Sequence, residues 1–194
     1  MVKDICYASL FDKNDLPYLY RLAEEVRATH NQDIVNDFNL KCQKKWDDHN
    51  PVLEVGNRNI EFLQVSKADD LVVTTGINRF IDQVLGARTV YWQYMGCGTG
   101  STAPTAADIA MQTTIGFFID TLIAGWREYA GTSLRFASIW GDSIATTTIN
   151  ECGVFTPTGA VMLNRDVFSN NPLVHTINIS AFVLSCVIEF VPVM

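Results

Sequence analysis

The residues best suited to chemistry lie in two short runs, 94–108 and 149–168. The first contains Gly96-Cys97-Gly98-Thr99-Gly100, then Ala103-Pro104 and Asp108. Glycines so spaced let the backbone approach a bound nucleotide-type cofactor, and a helix starting just behind them would offer it free N–H groups. The second run holds Glu151, Gly153 and Phe155, with Arg165 further on. Set on adjacent strands, Glu151 and Arg165 would make a cross-strand ion pair, worth little if solvated. Two other pairings have suitable side chains: Cys97 with His175 as nucleophile and base, and Asp142 with Glu151 as paired carboxylates. Spacing joins neither pair, and plainer roles exist: Cys97 as a small residue in a tight glycine turn, Asp142 in a turn, Glu151 as a strand-edge charge. No serine elbow, metal-binding helix or phosphate loop occurs.

The glycine run looks like the cofactor loop of S-adenosylmethionine-dependent methyltransferases. That resemblance implies an apolar lead-in strand with an acid before the first glycine, a prompt helix, and a second strand ending in an acid that holds the ribose. The chain departs from most of this. Its lead-in, 91–95, is amphipathic and has no carboxylate. Pro104 stands where the helix should be running and restricts its predecessor against helix as well. Asp120 lies at a suitable distance, but its segment reads as either helix or strand. Consecutive short strands in the last third argue against a parallel α/β sheet, and a glycine motif without its context is weak.

The 194 residues suffice for one substantial domain without disulfide or metal support. Only 18% are charged against 48% apolar, which fits a chain with faces buried in an assembly, or equally a well-filled core. The net charge of −7, with no basic stripe beyond the short 41–45 group, removes the counterion-releasing contacts that nucleic acid requires. The cysteines Cys6, Cys42, Cys97, Cys152 and Cys186 form no Cys-x-x-Cys pair and the three histidines are scattered, so no metal or cofactor is expected. Dispersed thiols of this kind suit a reducing compartment at the time of folding. No signal peptide is read at the start, and 177–193 is too broken by Asn178, Ser180, Ser185 and Glu189 to span a bilayer.

The elements that must position these residues are read from periodicity. Leu19, Leu22, Ala23 and Val26 share a helix face, and a second helix is expected over 33–46, giving a helical N-terminal extension over 1–50. The remainder, 51–194, reads as a β-rich structural domain. Strands are expected at 52–55, 60–65, 71–75, 89–94, 134–140, 146–149, 153–155, 161–163 and 177–190. Ile77, Phe80, Ile81, Val84 and Leu85 form the cleanest helix, with Gly86 just past its end. The fold class is therefore α+β, mostly β: an antiparallel β-sandwich-like body with the helical extension and one or two short inserted helices. Phe155, Met162, Leu163 and Phe168 are assigned to the core, as are Trp46, Trp92, Trp126 and Trp140.

Taken together, Gly98-Thr99-Gly100, Pro104 and Asp108, then Glu151, Gly153, Phe155, Met162-Leu163 and Arg165, resemble a small structural module of tailed bacteriophages and related viruses. Such proteins carry a Gly-Thr-Gly loop with Ala-Pro and Asp, a "Glu-Ala-Gly-Leu-Phe" strand, a glycine turn, a "Met-Leu-x-Arg" strand and a final apolar strand. The match covers about residues 70–190. Cys152 replaces the usual alanine, an acid often found after Asp108 is missing at Met111-Gln112, and residues 1–50 have no counterpart. The resemblance implies a non-enzymatic virion component at the capsid surface, connector or tail. Its partners would be other virion proteins and copies of itself, without direct contact to nucleic acid or membrane. It also implies that 115–126 is at least partly strand. Thr105 and Asp108 are expected to cap a short helix that stiffens the loop. A methyltransferase and a host-binding fibre or adhesin domain are the alternatives.

Overall fold

The computed structural model describes residues 2–29, 52–55, 58–87, 92–120, 125–130, 133–141, 144–157, 161–168 and 170–190. Branched and aromatic residues dominate its strands: β1 (Val2–Asp12), β2 (Val52–Val55), β3 (Arg58–Val72), β4 (Tyr94–Gly98), β5 (Thr114–Asp120), β6 (Gly125–Ala130) and β7 (Ser133–Trp140). Five more follow: β8 (Thr147–Ile149), β9 (Glu151–Phe155), β10 (Met162–Val167), β11 (Leu173–His175) and β12 (Ser180–Phe190). The helices are α1 (Leu16–Thr29) and α2 (Thr74–Val84), with Gly86 at φ +70° just beyond α2, where an L residue would be strained.

All pairings are antiparallel. The main sheet runs β5-β4-β9-β10-β3-β1-β12-β7-β6, with β2 also on β3, and β11 and β8 pair separately. The long β3 joins the two halves of the sheet. Its first part pairs with β1, while Leu71 and Val72 reach Arg165 and Asn164 on β10.

The half β5-β4-β9-β10 folds over the half that contains β1, β12 and β7, and the main core lies between them. Cys6, Ala8 and Leu10 of β1, Phe136 and Trp140 of β7, and Phe182 and Leu184 of β12 meet Met95, Cys97, Cys152, Val154 and Leu163 from the opposite layer. Trp140 stacks on Phe182 at 5.6 Å between ring centroids. The alternate residues Phe11, Ala137, Ile139 and Val183 point away, toward Leu19 and Ala23 of α1. The body is thus α+β and mostly β, a sandwich-like sheet folded on itself with a helix on its outer face.

The first twelve residues correct the helical reading of 1–50. Val2–Asp12 is a strand between β12 and β3, followed by a 3-10 turn at Lys13–Asp15, and α-helix begins only at Leu16. The run from Cys6 to Phe11 is buried on both faces, so no alternation marks it as a strand. The separate strands expected at 60–65 and 71–75 are one strand, with Thr74 and Thr75 already in α2. The segment 115–126 is strand at 115–120 and 125–126. The final strand starts at Ser180 instead of 177, after a turn with Asn178 at φ 68°. The helix expected over 33–46, with Trp46, and the side chain of Trp126 lie outside the described residues.

Phe182 is fully buried, whereas Leu63 is half exposed. Phe182→Ala is expected to lower unfolding free energy by about 3–5 kcal/mol and Leu63→Ala by under about 0.5 kcal/mol, read by urea denaturation.

Candidate functional site

The two motif runs meet on the outer face of β9 and β10. Strand alternation puts Glu151, Gly153 and Phe155 on that face, and the register sets Arg165 opposite Gly153 and Gly98 opposite Glu151. Gly96, Cys97 and Gly98 are therefore strand residues of β4 and not part of a turn. Residues 99–113 leave β4 and return to β5 as a strap across the same face. The expected short helix is absent. Asp108 instead closes a turn, accepting Thr105 Oγ1 at 2.7 Å and the Thr105 N–H at 3.1 Å, while its own N–H donates to Thr105 O. Pro104 is half-buried immediately before that turn.

Glu151 is fully buried beneath the strap and its carboxylate is saturated. Oε1 accepts the N–H groups of Gly100 at 3.0 Å and Thr113 at 2.7 Å. Oε2 accepts the Gln112 N–H at 3.0 Å and Arg165 Nε at 2.7 Å. Arg165 extends the chain outward, donating from Nη1 to Asp108 Oδ2 at 2.8 Å and from Nη2 to Thr102 O at 3.1 Å. Beside them Asn150 Nδ2 donates to Thr99 O at 2.8 Å, and the Thr99 N–H donates to Thr113 O. Gly98, Thr99, Gly100, Asp108, Glu151 and Arg165 are thus one connected unit.

The glycines are required by space. A Cβ on Gly100 would lie 2.5 Å from Glu151 Oε1, and one on Gly98 would collide with Thr113 O and Glu151. One on Gly153 would meet Asn164 O at 2.6 Å and the Phe155 ring at 3.3 Å. Phe155 packs with Val73, Met111 and Met162 in a small core that pins the end of the strap.

In chemical terms the two ends of the strap offer the N–H groups of Gly100, Gln112 and Thr113 to an internal anion, Glu151. Cys97 faces the main core, and burial together with the charge of Glu151 pushes its thiol up to about 12, which leaves it protonated and a poor nucleophile. The ring nitrogens of His175 meet Ile144 O at 3.1 Å and Ser180 Oγ at 3.2 Å. Asp142 lies outside the described residues, as does the side chain of Asp120.

The opposite face of β9 and β10 carries a second polar group that spacing did not reveal. Cys152, Asn164 and Asp166 point between the layers, where Cys6 of β1, Cys186 of β12 and Asp4 of β1 meet them. Cys6 and Cys152 Sγ are 2.8 Å apart, Cys186 Sγ is 3.2 Å from Asp4 Oδ1, and Asn164 Nδ2 donates to Asp166 Oδ2 at 2.6 Å and to Cys186 Sγ at 3.0 Å. Burial pushes the thiols of Cys6 and Cys186 well above their usual range and the carboxyl of Asp4 up to about 7. The only signal in the sequence is that Asp4 with Cys6, Cys152 with Val154, and Leu184 with Cys186 keep one strand parity.

No protein-family model, curated protein or solved structure matches the chain.

Removing Arg165 would strand Glu151 under the strap, so Arg165→Met is expected to cost about 3–5 kcal/mol by urea denaturation at neutral pH. Asp108→Asn should cost clearly less, since Asp108 is partly exposed and its turn partner Thr105 remains. Desolvation alone would raise the Asp108 carboxyl, but hydrogen bonds from Thr105 and Arg165 outweigh it and hold the group below its ordinary 3.8. Its contribution is therefore complete above that value and lost as pH falls through the lower folded-state value. The stability gap between wild type and Asp108→Asn should be constant at pH well above 3.8 and narrow progressively as pH falls below it.

Proposed function

We propose that the protein is a non-enzymatic structural component of a tailed virus, working at the capsid surface, connector or tail through contacts with other virion proteins and with copies of itself. The observation that carries this reading is an exposed apolar stripe along α2 and its C-cap. Ile77, Ile81 and Leu85 recur every four residues and are 40%, 48% and 75% exposed. An amphipathic helix ordinarily turns such a stripe to its own core. Here α2 docks through Gly76, where a Cβ would collide with Leu163 O of β10, and leaves the stripe outward. Ile109 of the strap, 72% exposed, lines with Thr75, Asn78, Arg79 and Asp82 a depression on a neighbouring side of the helix. Exposed apolar side chains grouped along one helix face suit protein–protein contact.

Two further points support the reading. The motifs that resemble the virion module are the same residues that lock the strap, so their types are accounted for by architecture. In the glycine run the Gly100 N–H donates to Glu151 and the Thr99 N–H to Thr113 O, so two donors that a methyltransferase reading would assign to its cofactor are engaged within the chain.

Mass spectrometry of purified virions should detect the chain, and its absence from them would sink the proposal. Ile77→Glu with Ile81→Glu should block incorporation while changing stability by under about 1 kcal/mol, because both sites are exposed. Saturable micromolar heat on titration with S-adenosylmethionine would instead favour the enzyme.

A further inference from the structure

We propose that Cys6, Cys152, Cys186 and Asp166 form a metal site between the two layers of the sandwich, taking one thiophilic divalent cation of the zinc class. The cluster is enclosed and rich in metal-ligating side chains: all three thiols and both carboxylates, Asp4 and Asp166, are buried. Asp166 Oδ1 and Asp4 Oδ2 have no hydrogen-bond partner, and among the described residues no Lys or Arg pairs with either carboxylate. Buried carboxylate oxygens are costly without a donor or a cation.

The geometry suits coordination. Ligand atoms of Cys6, Cys186 and Asp166 all lie within 4.8 Å of one another. On a tetrahedral zinc, a sulfur and an oxygen ligand sit about 3.6 Å apart and two sulfurs about 3.8 Å. Asp166 Oδ2 is 3.7 Å from Cys186 Sγ and 3.9 Å from Cys152 Sγ, close to that separation. Cys6 and Cys152, at 2.8 Å, would open by about 1 Å on binding.

Sulfur-rich, four-ligand sets of this kind select zinc over magnesium or calcium. The surroundings match as well. Asn164 donates to both Asp166 and Cys186, holding two ligands from behind, and its Oδ1 is fixed by the Val154 N–H at 2.9 Å. On binding, each coordinated thiol releases one proton to solvent and no electron is transferred. A Cys6–Cys152 disulfide is the competing use of the cluster. It would engage two sulfurs only and leave Cys186 and both carboxylates as they are.

The test uses the full chain, expressed with zinc and purified without chelator. Elemental analysis should find one zinc per chain, and replacement by Co²⁺ should give the intense visible bands of tetrahedral thiolate cobalt. Cys186→Ser and Asp166→Asn should lose the ion, while Cys97→Ser, a buried thiol outside the cluster, should keep it. Should those variants fail to fold, titration of the wild type with a mercurial should release zinc as three thiols react. Absence of zinc and cobalt from folded wild-type protein, or recovery of a Cys6–Cys152 disulfide by non-reducing peptide mapping, would overturn the proposal.

Discussion

The structure depends on one buried carboxylate. Glu151 lies where desolvation makes an unsatisfied charge prohibitive, and it is tolerated because three strap N–H groups and the Arg165 guanidinium converge on its two oxygens. The interaction acts in both directions. Glu151 needs the strap in place, and a strap without regular secondary structure needs an anion to gather its amides. Gly98 and Gly100 follow from that demand, since any side chain there would occupy the space of the carboxylate. Arg165 then carries the constraint outward to Asp108 and Thr102, so a long connection behaves as a fixed surface feature.

Strands β9 and β10 separate two kinds of polar chemistry by strand parity alone. Odd positions 151, 153, 155 and 165 build the clasp on the outer face. Even positions 152, 154, 164 and 166 face the inner layer, where thiols and carboxylates meet among apolar neighbours. A one-residue slip of register would exchange these faces and place Arg165 among the thiols. The irregular step between Met162 and Asn164 is therefore part of how the clasp is aligned.

The members of the clasp stood out in the sequence as a motif, and Glu151 with Arg165 as a cross-strand pair, but the burial of Glu151 beneath the strap amides was not legible, since Glu151 reads as a strand-edge charge. Its remaining partners, Gln112 and Thr113, contribute backbone N–H groups, which have no residue signature. The β-rich body could be read from alternation in β7 and from runs bounded by turn formers in β9 and β12, but β1 could not, because it is buried on both faces and is followed closely by a helix. The thiol cluster was invisible since Cys6, Cys152 and Cys186 come from three distant strands joined only by the folding-over of the sheet. Periodicity located α2 correctly, yet it could not tell whether Ile77, Ile81 and Leu85 face inward or outward, since a stripe reads the same against a core or a partner.

The position of β1 bears on how the chain reaches its folded state. One edge of β1 pairs with β12 from Val2–Phe190 to Asp12–Ser180, so β1 is completed by a strand far downstream in the sequence. Its other edge waits for β3. During translation the apolar run from Cys6 to Phe11 must therefore remain unpaired on one side until β12 has emerged from the ribosome. Such long-range closure makes folding slow and leaves a sticky open edge meanwhile. The β1 segment is accordingly where chaperone binding during biosynthesis would concentrate.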